Sequence, residues 1–152
     1  MKNIVWIAVL LAVACTKPDM EKEKKELLTL HERQRIAHLE ENIDLFAREQ
    51  ADTLLFIRNG ELGYRTKQQM RENFKRYFDR VEFIKWDDIA EPIIEISDDA
   101  SMANTFVQKI VILTYQGDQG QTVLDTTHFA WTTTYRKSGE EWRLIATTST
   151  HK

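Results

Sequence analysis

The sequence has few residues of the types that interrupt helices and strands or that cross-link the chain. Among its 152 residues are one cysteine, two prolines and five glycines. A single cysteine excludes an intrachain disulfide, so a hydrophobic core must hold the fold together. Apolar residues make up 42% of the chain and charged residues 30%, which is typical of a globular protein with one domain.

The sequence also lacks an excess of positive charge. It has 21 Lys and Arg residues against 24 Asp and Glu residues, a formal net charge of -3. Lys22, Lys24 and Lys25 alternate with glutamates and form no basic patch. We therefore expect no nucleic-acid partner.

No motif for a metal or a cofactor is present. His31-Glu32 resembles the start of a zinc-binding helix, but Arg35 occupies the position where the second histidine would have to stand. The sequence contains no glycine-rich phosphate loop and no serine nucleophile elbow. We therefore predict no metal site and no cofactor.

The N-terminus has the pattern of an export signal. Lys2 precedes an uncharged apolar run over residues 4–14, and polar residues return directly after Cys15. A positive start followed by a short apolar core is typical of a secretory signal peptide. The run is shorter than the roughly 20 residues that a membrane-spanning helix requires.

Residues 11–15, Leu-Ala-Val-Ala-Cys, resemble the lipobox of bacterial lipoprotein signals. The resemblance implies cleavage before Cys15 and lipid on its sulfur, and several acyl chains on one residue anchor a protein stably. It divides the chain into a signal peptide (1–14), a lipidated cysteine with a polar tether (15–26) and a domain (27–152). The expected location is the periplasmic face of a membrane or the cell surface. The alternatives are an uncleaved short anchor or an ordinary cleaved signal.

The first half of the mature chain has helical periodicity. Residues 20–50 contain no glycine or proline, and apolar residues at 36, 39, 43 and 46 lie on one helix face. We predict one long helix there, then a strand over 52–60 that ends in an Asn59-Gly60 turn. A second helix is predicted over 66–80, with Thr66 as its N-cap.

The second half has the pattern of strands. We predict strands over 82–89, 92–97, 102–115, 122–136 and 142–150, with the last three joined by short glycine-containing loops. The expected fold is α+β, with the N-terminal helices packed in the concave face of a strongly bent antiparallel β-sheet that forms a cone. We expect Val, Phe, Trp and Tyr side chains on the outer face, which then needs a cover of its own.

Two segments carry a family resemblance. Gly-Glu-Glu-Trp-Arg-Leu-Ile at 139–145 resembles the last strand of the nuclear transport factor 2-like superfamily, which includes SnoaL-like and ketosteroid-isomerase-like proteins. Tyr-Arg-Thr at 64–66 resembles the entry to that superfamily's second helix. The resemblance implies the cone fold and, by analogy, a homodimer. It leaves the activity open, because the superfamily includes isomerases, cyclases, dehydratases, non-catalytic binding domains and dimeric adaptors.

The candidate pocket residues are His128, Thr132, Thr148, Tyr64 and Trp86. His128 lies mid-strand on a face with small and hydroxylated residues, and the two aromatic residues are placed at the cone's mouth. The catalytic aspartate of the isomerases would fall near residues 57–58, which are Ile and Arg.

Three functions follow as hypotheses. The leading one is a non-catalytic binding module for a small apolar ligand or a protein partner. The rival is an enzyme of the SnoaL or ketosteroid isomerase type, with His128 as its acid and base. The third is a structural dimer whose own side chains fill the cone.

Replacing Cys15 by Ser should release the protein from membranes, because the sequence shows no second anchor. Fractionation of cells expressing Cys15→Ser should recover the protein in the soluble fraction. Thr16→Ala, one residue beyond the lipid site, should stay membrane-bound. Recovery of Cys15→Ser with the membranes would contradict lipidation.

Overall fold

The structure is a computed structural model that describes residues 17–152. Within this range the chain forms three helices and seven strands. The helices are α1 (Met20–Leu39), α2 (Ile43–Arg48) and α3 (Lys67–Phe78). The strands are β1 (Gln50–Arg58), β2 (Glu61–Thr66), β3 (Val81–Asp88), β4 (Ile93–Ile96), β5 (Met102–Gln116), β6 (Thr122–Ser138) and β7 (Glu141–His151).

The predicted helix over 20–50 is two helices, so that prediction was wrong in its middle. Glu41 has a left-handed backbone with φ 53°, which ends α1. The Asn42 side chain then accepts a hydrogen bond from the Leu45 amide and caps α2. The break turns the chain so that α2 packs against α1 and α3.

The second predicted helix is confirmed as α3. The Thr66 hydroxyl accepts a hydrogen bond from the Gln69 amide, and the Gln69 side chain accepts one from the Thr66 amide. This reciprocal capping box satisfies two amides that a helix N-terminus leaves free. Met70 and Phe78 are the buried residues of the helix.

The predicted turn at Asn59-Gly60 is also confirmed. Both residues have positive φ, 53° and 80°, as a two-residue hairpin turn requires. The turn leads into β2, a strand that the sequence analysis did not predict. β2 pairs antiparallel with β1 and forms one edge of the sheet.

The seven strands form one mixed sheet. Its order is β2-β1-β7-β6-β5-β3, and β4 also pairs with β5. β1 and β7 run parallel, and the other pairs are antiparallel. The α+β fold is as predicted, whereas the fully antiparallel sheet is corrected by the β1–β7 pair. The chain can form that pair because α3 and the other five strands lie between β1 and β7 in the sequence and provide the long crossover that parallel strands need.

Register shifts interrupt the long strands near Ile84 and Ile145. Such bulges bend a strand and reverse the alternation of its side chains. Before the second shift, Trp142 and Leu144 are buried on the concave side, whereas Thr148 beyond it is exposed on the other side. Strict alternation along the strand would place these three residues on one face.

Helix α1 lies in the concave face of the sheet. Near its start, the Glu23 carboxylate accepts hydrogen bonds from Lys137 Nζ at 2.5 Å and from Trp142 Nε1 at 2.8 Å. Glu23 and Leu27 are buried, so the folded domain begins inside the segment 15–26 that the sequence suggested as a tether. Of that segment, residues 17–19 are described and precede α1.

The aromatic side chains of β6 point inward. Phe129 and Trp131 pack against the hydrophobic core, and Tyr135 belongs to it. The prediction of Phe, Trp and Tyr from this strand on the outer face was therefore wrong. The outer face of β6 carries His128, Ala130, Thr132 and Thr134 instead. Among the helices of residues 17–152, none combines the length and apolar character needed to cross a bilayer.

Truncating Trp142 to Ala should lower the free energy of unfolding by about 3–5 kcal/mol, because a buried aromatic ring is lost and Glu23 loses a hydrogen bond. Chemical denaturation of the domain measures this loss. Tyr64→Ala is the matched control, since Tyr64 is 69% exposed, and should change stability by less than about 0.5 kcal/mol. Equal effects of the two substitutions would contradict the assigned faces.

Candidate functional site

The inside of the cone is the natural place for a site in this architecture, and α1 fills much of it. One side of α1 buries Leu27, Leu30, His31, Gln34 and His38 against the sheet and α2. These positions recur every three or four residues, which is the spacing of one helix face. The interior therefore contains the protein's own side chains, several of them polar.

His38 is the centre of an aromatic cluster. Its ring stacks on Trp86 with centroids 4.3 Å apart and contacts Phe46, Phe78 and Phe83 edge-on. Burial lowers the pKa of His38 to about 4, and the nearby Lys109 charge acts in the same direction. The Nδ1 atom lies 2.7 Å from the Gln34 carbonyl oxygen, which requires a proton on that nitrogen. His38 is thus a neutral packing residue at pH 7.

A charged network lies next to this cluster. Lys109 is fully buried, with Nζ 2.5 Å from Asp88 Oδ1 and 3.9 Å from the centroid of the Trp86 ring. Asp88 Oδ2 lies 2.8 Å from His31 Nε2. Asp88 therefore joins Lys109 on β5 to His31 on α1. A buried ion pair of this kind is retained only when its partners compensate for lost hydration.

The titratable groups of this network have shifted pKa values. Burial lowers the pKa of Lys109, and the Asp88 carboxylate opposes that shift. Burial also lowers the pKa of His31, helped by the Lys109 charge and opposed by the hydrogen bond to Asp88. Shifted pKa values are common at active sites but also occur in structural ion networks. Here Asp88 binds both other groups directly, which indicates a structural network.

A second polar layer lies between α1 and the sheet. Arg33 Nη1 is 2.9 Å from Glu49 Oε1, and Glu49 is buried. Tyr135 lies beside Thr105 and Thr133, and burial raises its pKa to about 12. This phenol is neutral at pH 7 and acts as a polar contact within the core rather than as a base.

The five pocket residues predicted from the sequence do not form one site. Trp86 is 5% exposed and belongs to the core. Tyr64, His128, Thr132 and Thr148 lie on the outer face of the sheet, away from the cone's interior. Thr132 and Thr148 are direct cross-strand partners, whereas Tyr64 lies on the edge strand β2. His128 is exposed and faces none of the buried titratable groups.

The surface formed by residues 17–152 has open depressions, of which two are described below. The larger, of about 650 Å³, lies where α1 and α3 end. Its lining includes Glu40, Glu41, Asp79 and Glu82 around buried Phe78 and Phe83. The smaller, of about 350 Å³, lies between the end of β7 and the middle of β6 and includes His128 and Gln108. In residues 17–152, no group of three His, Cys, Asp or Glu side chains could hold a metal ion.

The outer face carries the exposed apolar residues of the sheet. Cross-strand register aligns one residue from each of six strands in a central row. In spatial order the central row is Ile93, Phe106, Thr132, Thr148, Ile57 and Leu62. Its two ends are apolar and exposed, with Ile93 at 60% and Leu62 at 66%. Its middle carries small side chains, and Ala130 and Ala146 lie beside them.

The sequence analysis did not identify Asp88 and Lys109, and it considered His31 only as a metal ligand. Lys109 interrupts an alternating apolar series on β5, between Val107 and Val111, which share its face. A lysine at an inward position of a buried strand needs a carboxylate partner, so this pattern was a usable signal. The partner itself, 21 residues away in the chain, depends on the β3–β5 register.

Comparisons with known proteins identify the fold. No protein-family model matches the chain, and no curated protein matches it. Solved structures do match. A ketosteroid isomerase-like protein from Erwinia carotovora is 15% identical, with a TM-score of 0.68, over 86% of this chain and 96% of that one.

Two further structures have the same architecture. A nuclear transport factor 2-like protein of unknown function in nutrient uptake from Rhodospirillum rubrum is 20% identical, with a TM-score of 0.61, over 82% and 96% of the two chains. An uncharacterised protein with a cystatin-like fold from Caulobacter vibrioides is 14% identical, with a TM-score of 0.65, over 86% and 90%. These neighbours confirm the nuclear transport factor 2-like, cystatin-like cone predicted from the sequence. At such identities they show the fold alone.

The buried His38 makes stability depend on pH. Its pKa falls from 6.5 in the unfolded chain to about 4 in the fold. The neutral form thus contributes stability that is complete above pH 6.5 and is lost as pH falls toward 4, about 3 kcal/mol for this shift.

His38→Phe keeps an aromatic ring at this position and removes the titration. Urea denaturation at pH 7 and pH 4.5 should show a smaller loss of stability on acidification in His38→Phe than in the wild type. Some loss should remain in the variant, because the pKa of His31 is lowered as well. Identical pH profiles for the two proteins would refute a buried neutral His38.

Proposed function

We propose that this chain is an exported bacterial lipoprotein, anchored through Cys15, whose domain is a non-catalytic binding module that works through protein contacts. The observation that carries the proposal is the contrast between the two sides of the sheet. The concave side is occupied by α1, whereas the outer face is open and carries an aligned apolar row. Exposed apolar surface of this extent is typical of interaction sites.

The first partner that this face fits is a second copy of the chain. A two-fold axis in the interface plane, passing between Thr132 and Thr148, brings the small middle of one row onto the small middle of the other. Each apolar end then meets an apolar end of the partner copy. Such self-complementarity is what a two-fold interface requires.

The order of side-chain sizes along the central row also favours contact between two curved sheets. The outer face of a bent sheet is convex, so two copies approach most closely at their centres and separate toward their edges. Thr132, Thr148 and Ala130 at the centre permit the approach. The larger Phe106 and Leu62 lie toward the ends, where the gap widens.

The available area is sufficient for a stable dimer. Six strands spaced about 4.8 Å apart span about 24 Å. The 11 residues of β7 at about 3.3 Å each extend about 36 Å. Their product, roughly 860 Å², is close to the roughly 800 Å² per partner that a standard interface buries.

Catalysis is less well supported. An enzyme of the isomerase type needs a titratable group that a substrate can reach. The groups with shifted pKa values inside the cone, Lys109, His31 and His38, are buried and contact one another or the core. His128, proposed as the acid and base of the rival enzyme, is on the outer face. A small apolar ligand would also have to reach an interior that the protein's own side chains occupy.

A charge at the centre of the outer face should prevent association. Thr148 is exposed, so Thr148→Arg should preserve the fold and convert a dimer into a monomer. Sedimentation equilibrium of the domain from residue 17 onward measures the mass. Thr122→Arg makes the same change at the exposed start of β6 and should remain dimeric. A wild-type monomer, or a Thr148→Arg dimer, would contradict the proposed interface.

A further inference from the structure

Very little chain separates the lipid site from the folded domain. Helix α1 begins at Met20, and the Asp19 side chain caps it by accepting a hydrogen bond from the Lys22 amide at 3.1 Å. Only residues 16–19 lie between Cys15 and α1. A fully extended chain covers at most about 3.6 Å per residue, so this tether reaches about 14 Å.

The start of α1 is fixed to the body of the domain. Glu23 binds Lys137 and Trp142, which flank the turn between β6 and β7. The Lys137 amide also donates to the Ser101 carbonyl oxygen at 2.9 Å, which holds the turn between β4 and β5 beside it. The first turn of α1 and residues 97–101 and 137–142 therefore share one end of the domain, called the tethered pole below.

The opposite end of α1 lies far from this pole. Twenty helical residues extend about 30 Å at 1.5 Å per residue. There Leu39, Glu40 and Glu41 line the larger depression together with Asp79 and Glu82. This acidic end, called the distal pole, lies beyond the reach of the tether.

We propose that the tethered pole lies against the lipid headgroups and that the distal pole, with its acidic depression, faces away from the membrane. This inference rests on the lipid anchor proposed above. The charged side chains of the tethered pole are mostly acidic: Glu21, Glu23, Asp98, Asp99, Glu140 and Glu141, against Lys22 and Lys137. The short tether rather than charge attraction therefore holds it at the surface.

Site-specific fluorescence tests this orientation in the full lipoprotein. Cys15 is the only native cysteine and carries the lipid, so an introduced cysteine can be labelled alone. Glu140→Cys and Asp79→Cys place a dye at exposed positions on the tethered and distal poles. The protein is reconstituted into phosphatidylethanolamine and phosphatidylglycerol vesicles that contain a headgroup nitroxide lipid.

Quenching should be several-fold stronger at residue 140 than at residue 79. A second pair, Asp98→Cys and Glu82→Cys, should show the same difference at independent exposed sites. Equal quenching at the two poles, or stronger quenching at the distal pole, would overturn the proposed orientation. Protein that stays in the supernatant would instead show that the lipid anchor itself is wrong, and the orientation with it.

The length of the tether can be tested separately. Inserting 20 Gly and Ser residues after Pro18 should abolish the difference between the poles, because a flexible linker of that length spans about 25 Å on average. A difference that survives the insertion would show that the tethered pole binds headgroups by itself. That result would contradict the role assigned to the short tether.

Discussion

Helix α1 in the concave face of the sheet is the constraint on which the rest of the structure depends. A bent sheet needs a cover for its concave side, because apolar side chains exposed there would remain in water. α1 supplies it along its whole length, from the Glu23 contact with Trp142 at one end to the stack of His38 on Trp86 at the other. Both contacts join residues far apart in the chain.

The same packing determines which chemistry the interior offers. A helix with His31, Gln34 and His38 on its buried side brings polar groups into the core, and each needs a partner there. Asp88 supplies the partner of His31, and the carbonyl groups of Phe46 and Gln34 accept from Gln34 and His38. The interior thus has the residue types of an active site but uses them to hold α1 in place.

The outer face has the opposite character. The backbone N–H and C=O groups of these strands are hydrogen-bonded within the sheet, and the outward side chains make few contacts with the rest of the domain. Folding therefore constrains these side chains little, and they are available to contact a partner. A row with small residues at the centre and larger apolar residues at both ends is well suited to contact between two convex sheets. With the tethered pole near the membrane, such contact would join copies side by side on one bilayer.

Local signals predicted much of the fold. Three of these signals are the Thr66 cap, the Asn59-Gly60 turn and the alternation along β6. Each depends on residues only a few positions apart, so each can be recognised from the sequence. The break at Glu41 was missed because no glycine or proline marks it.

The features that failed are long-range. The β1–β7 parallel pair joins two strands that are separated in the chain by α3 and five other strands. The direction of each strand face depends on bulges such as the one near Ile145, which one-residue alternation cannot show. For this reason the sequence analysis assigned His128, Thr132 and Thr148 to the cone pocket, whereas the structure places them on the outer face. It also missed the Asp88–Lys109 pair inside the cone.

Native mass spectrometry of the domain from residue 17 onward, purified from its own host, tests the central claim most directly. A filled cone and a self-complementary outer face predict a dimer that retains no small molecule. A monomer that carries a bound small molecule would contradict the account, because it would show an accessible interior and an outer face that does not associate.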